Sequence, residues 1–172
     1  PLDCEQTFLG YWGGEITTLD IDTHDQFDGR PVFTVLVNGH KVKAILDTGA
    51  TVTLIDKATA KKVGMVAESK LSGVLKEASG VGKQTMKFWY EKFESMQIGD
   101  ELIPSAAIAV GDIWGNSMKD HPTAEQDSAN KEGAQLILGM DYIKEHRILF
   151  AMSQRKLYIS YLGGPLFFAS SP

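Results

Sequence analysis

The sequence predicts a mostly β, single-domain protein, and three observations carry that expectation. The segments PVFTVLVN, KVKAILD and TVTLI are rich in β-branched residues and follow one another with only turn formers between them. Asn38-Gly39, between the first two, suits a two-residue hairpin, because both central positions of that turn need positive φ. With 172 residues the chain can build one hydrophobic core but not comfortably two.

Each later element has its own local cause. Asp56 offers an N-cap for a short helix, KATAKKV, and Gly64 can end it in a left-handed conformation. In MKFWYEKFESMQI, Met86, Phe88 and Tyr90 share one face at period two, while Phe93 falls out of phase. The expectation is one long strand, bent by a bulge near Glu91 and Lys92. Residues 111–133 are polar and aperiodic, which predicts a long loop. The strand LIL, then Gly139, a short helix through DYIKEH, the strand RILFAM, a turn at residues 153–155 and the strand KLYISY complete the chain. GGPLFF, near the end, is expected at a dimer interface, against the N-terminal segment, or as a plain terminal strand. Trp89 is expected in the core or on a sheet face rather than in a groove.

Composition excludes several classes of function. At 43% hydrophobic and 23% charged the chain is neither disordered nor membrane-like, and no apolar run approaches the roughly 20 residues of a bilayer span. A net charge of −5 with scattered lysines leaves no basic footprint for nucleic acid. Cys4 is the single cysteine, so no intrachain disulfide can form, and an interchain one stays open. His24, His40, His121 and His146 show no paired ligand spacing, so no metal and no cofactor are expected. DIDTHDQFDG resembles a calcium loop only superficially: Asp25 and Pro31 stand where Gly and Glu are needed, and a solvated acidic turn is the better reading. The start at Pro1, without a basic and apolar leader, is expected to be a processed or excised boundary. A periplasmic, secreted or excised soluble domain is therefore favoured.

The chemistry concentrates in Asp47-Thr48-Gly49-Ala50, which follows the apolar run AIL and precedes the strand TVTLI. A carboxylate at a tight turn between two buried strands is costly unless backbone donors hold it or a second carboxylate shares its proton. The tripeptide alone arises by chance in roughly one chain in fifty of this length, so its context matters. That context is LILGMDYIKEHRILF, two apolar residues and a glycine followed by a short helix.

Together, ILDTGATVTLI and LILGMDYIKEHRILF resemble the two signatures of the retropepsin-like aspartic proteases, over residues 31–161 in order, and the C-terminal segment resembles bacterial members. The resemblance implies a closed β-barrel or sandwich with short helices, the acid-protease fold, assembled as a homodimer. It implies a protease domain at residues 31–162 containing the polar loop 111–133, an N-terminal extension at 1–30 packed on the domain, and a tail at 163–172. Asp47 matches the catalytic aspartate, Thr48 the residue whose hydroxyl bonds across the dimer, and Gly49 the glycine beside the attacking water. Ala50, Thr51, Leu138 and Gly139 are the matching peptide-site residues, with Leu138 and Gly139 packed behind the turn. Ser79, Gly80, Val81 and Gly82 match the tip of a flap that closes over substrate, where glycines give a lid its freedom. Thr51 and Val52 stand where viral members often carry charges that grip the substrate backbone, so substrate preference is expected to differ.

The mechanism needs two carboxylates, one to take a proton from water and one, protonated, to polarise the scissile carbonyl. One motif per chain means that the second Asp47 comes from another subunit by two-fold symmetry. The expected protein is an aspartic endopeptidase acting on polypeptide substrates. The alternative is a catalytically weak or self-processing module of the same fold that dimerises or binds peptides. Two carboxylates sharing one proton predict a bell-shaped pH profile. Ala50, lacking a hydroxyl donor, should place its optimum in the mildly acidic range.

Overall fold

The structure is a computed structural model describing residues 12, 14–24, 30–65, 76–79, 85–113 and 134–167. The strands are β1 (Thr17–His24), β2 (Pro31–Val37), β3 (His40–Leu46), β4 (Leu54–Asp56), β5 (Lys76–Ser79) and β6 (Thr85–Lys92). They continue as β7 (Ser95–Ile98), β8 (Glu101–Pro104), β9 (Ala107–Gly111), β10 (Leu136–Leu138), β11 (His146–Ala151) and β12 (Lys156–Tyr161). Among the described residues two short helices, α1 (Lys57–Val63) and α2 (Met140–Ile143), and one 3-10 turn, Met152–Gln154, interrupt them. The main sheet runs β11-β12-β1-β2-β3-β10-β4-β9-β6-β5, and β7 and β8 form a hairpin attached to the C-terminal end of β2. Among the described residues no helix is long and apolar enough to cross a membrane.

Local chemistry explains the first hairpin. Asn38 (φ +49) and Gly39 (φ +76) occupy the positive-φ pair between Val37 and His40, a turn whose twist matches that of the flanking strands. The helix α1 begins where Asp56 Oδ2 accepts from the Ala58 and Thr59 amides, and Gly64, with φ +79, stands just past its end. The expected bulge near Glu91 is absent. The pairing of β6 with β9 runs unbroken from Phe88↔Gly111 to Lys92↔Ala107, and the chain turns after Lys92 into β7, which pairs with β2 and β8. Phe93, just past the end of β6, continues the face of Trp89 and the buried Glu91 and is itself wholly buried.

One core joins the strands: Leu19, Val35, Val42, Ile55, Met96, Ile103, Ile108, Leu136 and Leu157 come from nine of them and pack together. Each such side chain contributes about 1.5–3 kcal/mol by leaving water. Within residues 1–30, β1 is an integral member of the sheet, between β12 and β2. Of the C-terminal residues, Phe167 is buried and its ring stacks on Tyr142 at 5.9 Å.

Tyr142 anchors a second buried group. Its ring stacks on His146 at 3.8 Å, and its hydroxyl donates to Glu101 Oε2 at 3.0 Å. The His146 ring, wholly buried, faces an acceptor at each nitrogen: the Tyr142 carbonyl lies 2.7 Å from Nδ1, and the Glu101 carboxylate 3.1–3.2 Å from Nε2. The β7–β8 hairpin is thereby tied to α2 and β11. Burial, reinforced by the neighbouring Glu101 charge, pushes the Tyr142 hydroxyl far above its ordinary pKa, so it stays a donor.

Candidate active site

The DTG turn exists because β10 slots between β3 and β4. It pairs parallel with β3 (Leu138↔Leu46) and antiparallel with β4 (Leu136↔Ile55), which forces the connection between β3 and β4 into a tight loop at the sheet end. The Asp47 amide donates to the Leu138 carbonyl at 3.0 Å, and the Met140 amide donates to the Ala50 carbonyl at 2.8 Å, pinning both ends of the turn. Inside it the Ala50 amide donates to the Asp47 carbonyl at 3.1 Å.

Gly139 makes the close approach feasible. A Cβ there would meet the Val52 carbonyl carbon and oxygen at 2.5 Å and the Ala50 oxygen at 2.9 Å, all backbone atoms that cannot swing aside. Leu138 is wholly buried in the core. This pair therefore lies behind the turn, whereas Thr48, Gly49 and Thr51 are exposed and Ala50 is half-buried. Ser79 ends β5, which pairs with the start of β6 (Ser79↔Thr85). Gly80, Val81 and Gly82 lie outside the described residues, as does most of the loop 111–133.

The Asp47 side chain is 34% exposed. Its Oδ1 accepts from the Gly49 amide at 2.8 Å, the backbone donor that a carboxylate in this position requires. Its Oδ2 accepts from Arg30 Nη1 at 3.2 Å.

Two supporting features escaped the sequence. Arg30 has no signal of its own in the sequence, since its role depends on where β2 starts relative to the turn. Thr53 and Asp141, 88 residues apart, form the other. The Thr53 amide and hydroxyl both donate to the Asp141 carboxylate, and the Gly139 amide donates to Thr53 Oγ1 at 3.1 Å. Burial raises the Asp141 carboxyl above its ordinary pKa and outweighs the hydrogen bonds from Thr53, which act in the opposite direction. The one sequence hint was a hydroxyl residue inside the apolar run TVTLI. Trp89 is partly buried against the core, donates to Glu91 Oε1 at 2.8 Å, and carries Lys57 Nζ 5.6 Å from its ring centroid.

The geometry can be set beside known proteins. A crystal structure of a retropepsin-like aspartic protease from Rickettsia conorii is similar, with 20% identity, a TM-score of 0.53, and coverage of 86% of this chain and 92% of the other. The retroviral protease-like domain of Ddi1 from Leishmania major shows 21% identity and a TM-score of 0.47 over 78% of this chain and 94% of its own. Among curated proteins, none matches the chain. The family described as aspartyl protease matches residues 33–142, from β2 through the DTG turn to α2, which is most of the chain. With its strand-dominated fold and the DTG turn closed from behind by Leu138 and Gly139, the chain belongs to the aspartyl protease family and has the retropepsin-like fold.

Proposed function

We propose that the protein is an aspartic endopeptidase whose site forms when two copies pair and each supplies Asp47. The observation that carries this reading is a carboxylate presented at an exposed turn with its Oδ1 held by the Gly49 amide, on a chain with one such motif. Water bound between the two carboxylates loses a proton to the ionised one, while the protonated partner polarises the scissile carbonyl. Thr48, exposed beside Asp47, supplies the hydroxyl that bonds across the two-fold axis. Ala50 and Thr51 line the floor of the cleft, and the lid over an extended peptide is assigned to Ser79, Gly80, Val81 and Gly82 on the sequence match alone. Leu138 and Gly139 hold the turn from behind.

The test is a peptide-library cleavage profile of wild type and Asp47→Asn in parallel. The amide keeps the volume of the carboxylate but cannot act as a base. Cleavage by wild type alone, blocked by a statine inhibitor and lost on dilution to the monomer, is the expected result. Turnover by the Asn variant, or full activity of a monomer, would overturn the reading.

A further inference from the structure

Arg30 stands immediately before Pro31, which biases its backbone to an extended conformation and opens β2. Val32 then packs with Ile45, Ala134 and Ile137, anchoring the start of β2 next to the end of β3 and to β10. This anchoring sets the guanidinium beside the turn that follows β3, with Nη1 3.2 Å from Asp47 Oδ2. At 33% exposure the Arg30 side chain is neither sealed in the core nor free in solvent.

Resting on the reading of Asp47 as catalytic, we propose that Arg30 is a positioning residue for that carboxylate, holding its orientation in the paired site. Gly49 and Arg30 each take one oxygen, so the carboxylate plane is fixed from both sides. A carboxylate held on both oxygens keeps its orientation toward the water and carbonyl of the paired site, so loosening one oxygen slows the chemical step more than it weakens substrate binding. Among the described residues Arg30 is the cation in direct contact with Asp47.

The experiment is kcat and KM measured separately for wild type, Arg30→Gln and Arg30→Lys, with Asp47→Asn as control. Arg30→Gln should lower kcat about tenfold with KM nearly unchanged, and Arg30→Lys should restore most of the loss. A folded, dimeric Arg30→Gln with an unchanged kcat overturns the proposal while leaving Asp47 catalytic. Activity in Asp47→Asn instead sinks the catalytic reading itself.

Discussion

Thr53 gives Asp141 two donors at once: its amide lies 2.8 and 2.9 Å from the two carboxylate oxygens, and its hydroxyl 2.7 Å from Oδ1. The same hydroxyl oxygen accepts from the Gly139 amide, so one threonine joins the strand after the DTG turn to the segment that closes it.

Removing that carboxylate should be costly, and its charge should be visible in pH dependence. Asp141→Ala leaves the buried Thr53 amide and hydroxyl without their acceptor, at about 2–4 kcal/mol. In Asp141→Asn the amide oxygen still accepts, and the charge is gone. The folded pKa of Asp141 is raised, so in the window just above the ordinary carboxylate value of 3.8 the folded state binds more protons than the unfolded state. Wild-type stability from this group therefore falls as pH rises through that window, whereas Asp141→Asn lacks the decline. Urea denaturation of both proteins at several pH values checks this. A stability difference between them that does not drift with pH would refute it.

Gly139 and Gly49 should fail in different ways. Gly139→Ala drives a Cβ into the Val52 and Ala50 backbone and should cost at least about 3 kcal/mol, with activity lost alongside. At Gly49 the nearest atom to an added Cβ is Asp47 Oδ1, at 3.1 Å, which is a side-chain atom. Gly49→Ala should leave thermal stability nearly unchanged while depressing kcat, because Asp47 must shift. Equal losses of stability in the two variants would contradict the distinction.

Glu101→Ala should destabilise the fold by about 3 kcal/mol, since His146 Nε2 and the Tyr142 hydroxyl both lose their acceptor in a buried setting. Chemical denaturation measures it. A loss below about 1 kcal/mol would mean that water replaces the carboxylate at little cost.

Thr48→Ala should weaken self-association by on the order of 1 kcal/mol per lost hydroxyl bond, leaving the protomer folded. Sedimentation equilibrium checks it, and an unchanged dimer dissociation constant would remove Thr48 from the interface.

Where the cause of structure was local, the sequence could be read. Asn38-Gly39 and the Asp56 cap act within a few residues, and the structure contains both features as expected. LIL was readable as a strand, but its parallel seat beside β3 depends on chain segments far away. The segment around Phe93 misled because Glu91, a charged residue, is buried and accepts from Trp89, which masks the true alternation. The DTG motif pointed to Asp47. Arg30, Thr53 and Asp141 carry ordinary side chains whose meaning arises only once β2, β4 and α2 converge.

The position of β10 has a consequence for synthesis. The strands on either side of the turn, β3 and β4, are close in sequence yet hydrogen-bond to each other only through β10, which leaves the ribosome much later. Thr53 must wait for Asp141, 88 residues on, a delay of roughly 4–18 s at ordinary translation rates. A nascent chain that ends before residue 134 therefore carries the whole ILDTGA segment without the strand that bends it into shape, and the carboxylate takes up its geometry only after β10 has been made.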